Sequence, residues 1–261
     1  MFMNHIKAML VSFFLFLTVF ASPYLQAKEN QIYLTSLEWP PYSGAELPDG
    51  GAAISIAKAA FEEMGYELVV EFYPWSRALI HAKDPDSPYA GYFPEYYSKD
   101  REAHYLFSRA IGSGPLGFVE QAEHPIKWNS LSDLTAYTIG VVRDYVNTPE
   151  FDVAVLNGQL SVQEVSADVQ NIWKVLNGRI PLAVIDRNVF EYLVYTDMSL
   201  ALADQQVRMN PKLLDIKELY VCFNKAKNGA HWQKIFNEGL LKLDVAKMMS
   251  DYFEKIGIER N

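Results

Sequence analysis

The stretch GYFPEYYSKDREAHYLFS, residues 91–108, decides the fold that this sequence predicts. A strand-like run at 89–93 leads into it, and we expect that strand to end at Pro94, because proline has no N–H for a sheet hydrogen bond. Polar and aromatic residues just past a strand's carboxyl end are where open α/β sheets bind ligands. Arg101 carries a planar fork of donors that matches a carboxylate. From this stretch alone, an ordinary solvated surface arginine is an equal alternative.

The N-terminal residues 1–27 have the features of a secretory signal peptide. His5 and Lys7 form a weakly basic start, and the apolar run at 8–21 is too short to cross a bilayer as an ordinary helix. Residues 25–27, Leu-Gln-Ala, form an acceptable small-residue cleavage site. We therefore expect an exported, periplasmic protein.

The composition excludes several classes of function. Hydrophobic residues make up 50% of the chain, so it can bury a core, and its formal net charge of −9 argues against a nucleic-acid partner. Cys222 is the single cysteine, so neither an internal disulfide nor a thiolate metal cluster can form. No nucleophile elbow or metal-binding histidine spacing occurs either. We expect a monomer without catalytic residues, metal or cofactor.

Strand and helix patterns alternate along the chain, which is typical of α/β units with mostly parallel sheets. Helices are expected after Gly51, over 77–82, from Thr148, and from Asp168, which should cap its helix. Two amphipathic helices end the chain. The predicted strands are 32–37, 68–72, 89–93, 116–120, 138–142, 160–165, 180–185 and 219–223.

Four segments in this order resemble the family 3 extracellular solute-binding proteins, which deliver polar amino acids to ABC importers. They are TSLEWPPYSG (35–44), SKDREAHYLFS (98–108), IGVV (139–142) and PLAVIDRNVFEYL (181–193). The resemblance covers essentially the whole mature chain. It implies a type II periplasmic-binding-protein fold, α/β, with two lobes of mostly parallel sheet joined by two crossing segments. Lobe 1 would comprise 28–113 and 218–261, and lobe 2 would comprise 114–217.

The same resemblance implies where a ligand would bind. Arg101 would hold a carboxylate, Ser98 would hydrogen-bond near it, and Asp186, at a strand's end, would pair with an amino group. The residue types fit this role, since a zwitterion needs one fixed cation and one fixed anion on facing walls. Asp186 is also a favoured N-cap for the following helix, and the two roles can coexist.

Aromatic residues follow the predicted strands and would wall the same cleft. Trp39, Tyr42, Trp75 and Tyr96 all fall on loops just after strands. Such walls suit an apolar or cationic ligand group, through buried area and cation–π contact. Packing between the lobes explains Trp75 equally well.

Two further arginines, Arg77 and Arg143, fall at the predicted cleft edges. Arg77 would reach the cleft or only brace Glu71 or Glu95. Together with Arg101, these arginines are expected to keep the cleft carboxyls ionised, because a nearby cation lowers the pKa of a carboxyl group.

Two stretches depart from the family's pattern and leave the ligand open. Residues 93–97 are bulkier and more acidic than its usual glycine-containing turn, and 143–148 replace a glycine- and threonine-rich turn. We expect a receptor that closes on a small polar ligand, an amino acid or related zwitterion, for uptake through an ABC permease. The alternatives are a secreted dehydratase of the cyclohexadienyl or arogenate type, with Glu95 as its acid, and an orphan receptor for a membrane sensor.

Overall fold

The computed structural model describes residues 30–200 and 205–257. The predicted signal peptide, residues 1–27, therefore lies outside the described residues. Among the helices of the described ranges, none has both the length and the apolar character that a membrane crossing requires.

The first half of the chain is a β-α-β-α-β unit, as the sequence predicts. Its elements are β1 (Gln31–Ser36), α1 (Ala52–Glu62), β2 (Glu67–Phe72), α2 (Trp75–Lys83), β3 (Gly91–Tyr96), α3 (Lys99–Glu102) and β4 (Tyr105–Phe107). Strand β1 pairs in parallel with both β2 and β3. Gly65, at φ 79°, follows α1 in the left-handed conformation that commonly ends a helix.

The second half contains another β-α-β-α-β unit, residues 138–186, together with the elements around it. Its elements are β5 (Gly112–Gln121), β6 (Thr138–Val142), α4 (Pro149–Leu156), β7 (Ser161–Val165), α5 (Asp168–Leu176), β8 (Leu182–Asp186), α6 (Arg187–Thr196), β9 (Val207–Met209), β10 (Asp215–Asn224), α7 (Gly229–Leu240) and α8 (Val245–Lys255). Strand β6 pairs in parallel with β7 and β8. Thr148 caps α4, with its hydroxyl accepting from the N–H of Phe151, as predicted.

Two long antiparallel strands, β5 and β10, join the halves into one sheet of order β2-β1-β3-β10-β5-β8-β6-β7. Residues 215–219 of β10 pair with 112–116 of β5. Beyond this shared segment β10 continues along β3, and β5 continues along β8. The two crossing segments that the resemblance implies are confirmed, at 112–116 of β5 and 215–219 of β10. The parallel parts of the sheet therefore flank an antiparallel centre.

Strand β3 passes through Pro94, where the sequence predicted its end. The partner strand β10 shifts register between residues 220 and 222, opposite this proline. Inside that irregularity the N–H of Val221 donates to the hydroxyl of Ser108 at 3.0 Å instead of bonding to β3. A bulge of this kind is one of the few places where a sheet admits proline. The strand therefore extends to Tyr96, and the prediction that Tyr96 lies on a loop is wrong.

The C-terminal helices pack against the first half of the chain. The rings of Phe61 on α1 and Phe236 on α7 have centroids 5.0 Å apart. Gly239 permits a close approach of the two backbones, because a Cβ added there would lie 1.9 Å from the carbonyl oxygen of Ala60. The lobe boundaries given above, 28–113 with 218–261 and 114–217, stay predictions.

We predict that Gly239→Ala lowers the free energy of unfolding by roughly 1–3 kcal/mol, because the new methyl group must push two helices apart. Urea unfolding followed by circular dichroism measures the change. Gly117→Ala is the control, since its added Cβ would first meet flexible side-chain atoms of Leu213 and Met209 at 3.1 Å. Equal stability losses in the two variants would contradict this account of the helix contact.

Candidate functional site

Aromatic side chains from both halves of the chain meet at the carboxyl ends of the parallel strands. Trp39 and Tyr42 lie in the turn after β1 and stack with ring centroids 4.7 Å apart. Tyr96, at the end of β3, meets Trp39 edge-on at 5.9 Å. Tyr145, in the turn after β6, meets Trp39 edge-on at 6.4 Å and Trp75 at 6.1 Å. The four predicted aromatic residues thus lie together, with Tyr145 as a fifth that the sequence analysis missed.

Asp186 links the two halves through its carboxylate. It is 2% exposed, and its Oδ1 accepts from the N–H of Asn188 at 2.8 Å, which confirms the predicted cap of α6. The hydroxyls of Tyr42 and Tyr96, which come from the other half, each donate to the same carboxylate at 3.2 Å. Gly114 of β5 leaves room for this contact, since a Cβ there would lie 2.0 Å from Asp186 Oδ2. The pairing of Asp186 with a ligand's amino group stays a prediction.

Asp168 does not cap α5 as predicted, because the N-cap is Ala167 and Asp168 is the first helical residue. Its side chain turns instead into the aromatic group and accepts from the hydroxyl of Tyr145 at 3.4 Å. The indole N–H of Trp39 lowers the pKa of Asp168, although the two form no hydrogen bond of ordinary geometry. The position of Asp168 just after β7 was the signal that could have marked it as a site residue.

Burial dominates the electrostatics of the three carboxyl groups in this region. It raises the pKa of Glu95, Asp168 and Asp186 to about 7 in each case. The charge of Asp186 raises the pKa of Asp168 further, while Arg101 lowers that of Glu95 without cancelling the effect of burial. Our expectation of fully ionised acids was therefore wrong, because loss of solvation outweighs the one arginine in contact.

Arg101 is already engaged by protein groups. Its Nε lies 3.3 Å from Glu95 Oε2, and its Nη2 donates to the main-chain carbonyl of Asp144 at 2.9 Å. The indole N–H of Trp75 donates to the same carbonyl at 3.1 Å, and the hydroxyl of Ser76 donates to the Asp144 carboxylate. Asp144, at φ 64°, thus accepts hydrogen bonds from three side chains of the other half.

The other two arginines do not join this group. Arg77 is exposed on α2 and makes no ion pair with Glu71, Glu95 or any other described residue. Arg143 is also exposed, and its Nε pairs with Glu164 at 2.9 Å. The brace for Glu71 or Glu95 that the sequence suggested for Arg77 is not among the described ion pairs, and a contact of Arg77 with a ligand stays a prediction.

Two cavities adjoin the turn after β6. The inner one has a volume of about 20 Å³, enough for about one water molecule, because aromatic side chains fill most of the space. The outer one has a volume of about 500 Å³ and includes Ser98 and Arg101 in its wall. Tyr145 and Val146 line both. The inner cavity is lined mainly by Trp39, Trp75, Glu95, Tyr96, Tyr145 and Val146.

Lys217 is a second cation near the site that the sequence analysis missed. It lies on β10, 8% exposed, with its ammonium group 5.5 Å from the ring centroid of Tyr96 and 4.0 Å from Asp215 Oδ2. The predicted strand began at residue 219, so this position fell outside it.

This architecture defines the class of protein: a type II periplasmic-binding-protein fold with two halves joined by crossing strands. No protein-family model and no curated protein sequence matches the chain. Solved structures do match the chain, but at identities of only 15–16% in the three given below, so they show its fold alone.

Three solved structures illustrate this similarity. A histidine kinase sensor domain similar to periplasmic binding proteins has a TM-score of 0.72 at 15% identity, covering 86% of this chain and 95% of its own. An amino acid ABC transporter substrate-binding protein from Streptococcus pneumoniae bound to L-arginine has a TM-score of 0.68 at 16% identity. The match covers 87% of this chain and 94% of that one. The ancestral amino acid-binding protein AncCDT-1, a precursor of cyclohexadienyl dehydratase, has a TM-score of 0.66 at 15% identity. The match covers 87% of this chain and 95% of that one. They confirm the fold expected from the resemblance to family 3 solute-binding proteins.

The raised pKa of Asp168 predicts how stability depends on pH. The folded protein holds this proton up to about pH 7, whereas the unfolded chain loses it near pH 4. The stability contribution of the group is therefore fully present below about pH 4 and is lost as the pH rises towards about 7. Asparagine has the same shape and no charge, so Asp168→Asn removes this loss of stability at high pH. We expect it to raise the free energy of unfolding at pH 8 by up to a few kcal/mol, since one pKa unit corresponds to about 1.4 kcal/mol.

Urea unfolding at pH 8 and pH 5 measures this difference, and we expect a smaller gain at pH 5. Glu123→Gln, which changes an exposed acid, is the matched control and should have little effect at either pH. If Asp168→Asn shifts stability equally at both pH values, the buried charge is not the cause.

Proposed function

We propose that this protein is an exported solute-binding receptor that closes on a small polar ligand bearing a positively charged amino group. Amino acids and related zwitterions are the class suggested by the resemblance, with delivery to an ABC permease. The observation that carries the proposal is the carboxylate of Asp186, buried between the halves and surrounded by the rings of Trp39, Tyr42 and Tyr96. A buried carboxyl group inside aromatic walls suits a ligand cation, whose charge would also favour the ionised carboxylate.

The contacts between the halves support closure as the mode of binding. Trp75 and Arg101 from the first half both donate to the main-chain carbonyl of Asp144 in the second. Such contacts can shut a cleft over a ligand while the crossing strands β5 and β10 act as hinges. The closed form would then present one defined surface to a permease or a membrane sensor.

For an amino acid, the carboxylate would lie in the outer cavity. Arg101 and Ser98 line that cavity, which has the volume that small-molecule sites commonly have. Asp186 would receive the amino group from the inner side. This division keeps the roles that the resemblance gives to the three residues.

We predict that a thermal-shift screen over amino acids, polyamines and small carboxylates finds a stabilising ligand. A ligand at about 100 times its Kd adds roughly 2.7 kcal/mol to the stability of the form that binds it. Asp186→Asn, which keeps the shape and capping ability of the residue, should abolish the shift.

Arg143→Ala is the control, because this arginine is exposed and pairs only with Glu164 among the described residues. It should retain the full shift. A shift that survives Asp186→Asn would show that the ligand binds elsewhere.

A second function, a dehydratase of the cyclohexadienyl or arogenate type, is favoured by one observation. Glu95 is buried, has a pKa of about 7 and lies beside Arg101, so at neutral pH part of the population could donate a proton to a leaving hydroxyl group. Against this, its Oε1 and Oε2 already accept from the N–H of Tyr96 and the hydroxyl of Tyr92.

We predict that incubation with prephenate or arogenate gives no aromatic product above the uncatalysed background. Chromatography with ultraviolet detection of phenylpyruvate and phenylalanine measures the product. Turnover that Glu95→Gln abolishes would replace the receptor with the enzyme as the proposed function.

A further inference from the structure

The ion pair of Glu95 and Arg101 stands between the two cavities of the site. Glu95 lines the inner cavity, and Arg101 lines the outer one. Their charged groups are 3.3 Å apart, measured from Arg101 Nε to Glu95 Oε2. Tyr145 and Val146 line both cavities, so the two spaces adjoin. A ligand that occupies both would therefore meet an acid in one and a fixed cation in the other.

Among the described residues, Glu95 supplies the one carboxyl group in the lining of the inner cavity. The residue is 4% exposed, and its Oε1 accepts from the N–H of Tyr96 at 3.0 Å. A carboxylate oxygen can accept two hydrogen bonds, so one acceptor position on Oε1 is left by the described part of the chain. Burial raises the pKa of Glu95 to about 7, and a cation beside it would favour the ionised form.

Aromatic rings form much of the remaining wall of the inner cavity. They belong to Trp39, Trp75, Tyr96 and Tyr145, and the described residues of this wall include no lysine or arginine. An ammonium group is about as large as the single water molecule that a volume of about 20 Å³ admits, and aromatic faces attract cations. The inner cavity thus suits the ammonium group of a ligand, whereas an anionic group would find no counter-charge in this wall.

Arg101 keeps donors for a ligand carboxylate in the outer cavity. Its Nε lies beside Glu95 and its Nη2 donates to the main-chain carbonyl of Asp144 at 2.9 Å. Its Nη1 has no partner among residues 30–200 and 205–257. A carboxylate bound there would not have to displace Glu95 from the ion pair. The outer cavity, of about 500 Å³, has room for the rest of a small ligand.

A ligand that carries both charges side by side would complete an alternating set of four charges. Its ammonium group would lie against Glu95 and its carboxylate against Arg101, so each charge would have neighbours of opposite sign. An amine alone would add a second cation beside this pair, and a carboxylate alone would add a second anion. Because the protein's two charges are only 3.3 Å apart, the ligand's charges must also be close together, as they are on the same carbon of an α-amino acid.

Building on the proposed receptor function, we infer that Glu95 is the residue that makes the site prefer an α-ammonium group, which binds against its carboxylate in the inner cavity while the ligand's α-carboxylate binds Arg101. Glu95 is thereby a second anionic contact of the ligand, beside the Asp186 of the proposed function. The ligand class narrows from zwitterions in general to those with adjacent charges. The receptor function holds with or without the contact to Glu95.

Isothermal titration calorimetry with matched pairs of probes tests this inference. Glutamate is compared with glutarate, lysine with ε-aminocaproate, and phenylalanine with hydrocinnamate, because the second member of each pair lacks only the α-ammonium group. We expect at least one of the three amino acids to bind at least tenfold more tightly than its partner. Glu95→Gln keeps the shape of the side chain and removes its charge, so it should reduce this ratio to threefold or less.

The controls separate loss of contact from loss of fold. Glu123→Gln makes the same change at an exposed acid and should leave the ratio within twofold of that of the unchanged protein. Circular dichroism melting verifies that the Glu95→Gln variant folds. If it does not fold, Glu95→Asp takes its place, since aspartate keeps the charge but shortens its reach, and it should lower the ratio at least threefold.

Two outcomes would overturn the inference: a ratio that the Glu95 variant leaves unchanged, or three amino acids of which none binds more tightly than its partner. The receptor function is tested separately by the thermal-shift screen. It stands if a compound of that screen gives a shift that Asp186→Asn abolishes, whatever the Glu95 variant does. It fails, and the inference with it, if no compound stabilises the protein.

Discussion

The site depends on a carboxylate, that of Asp186, kept away from water at the junction of the two halves of the chain. Its partners are divided between the halves: main-chain N–H groups of α6 hold it from one side, and the hydroxyls of Tyr42 and Tyr96 reach it from the other. Because a buried anion is costly unless it is hydrogen-bonded or paired, these donors must all be present together. The relative position of the halves and the state of this charge are therefore coupled.

The crossing strands supply the frame that makes this coupling possible. Strands β5 and β10 each begin in a shared antiparallel segment and end in different halves, so the halves cannot separate without bending that segment. The same strands also shape the site locally. Gly114 leaves space beside Asp186, and the irregular register of β10 lets β3 continue past Pro94 to Tyr96. Scaffold and site are thus built from the same residues.

Loss of solvation and charge pairing compete throughout the cleft, and the loss of solvation prevails. Arg101 lies 3.3 Å from Glu95 and still leaves the pKa of that acid at about 7, while Asp168 and Asp186 have no cation beside them among the described residues. A carboxyl group whose pKa lies near 7 changes its protonation readily when another charge enters the cleft. This sensitivity would serve the proposed receptor, and it is also the reason why Glu95 is a candidate for proton transfer in the alternative, the dehydratase.

The sequence by itself determined the alternation of strands and helices, the caps at Thr148 and Asp186, and the placing of Trp39, Tyr42 and Trp75 beyond strand ends. These features follow from local periodicity, turn chemistry and capping, all of which are written in neighbouring residues. The passage of β3 through Pro94 depends on its irregular pairing with β10, a strand more than 120 residues further along the chain. The same holds for the exposure of Arg77 and Arg143, the engagement of Arg101 by Glu95, and the turning of Asp168 into the cleft. Burial and pairing depend on residues distant in sequence, so only the tertiary structure could decide them.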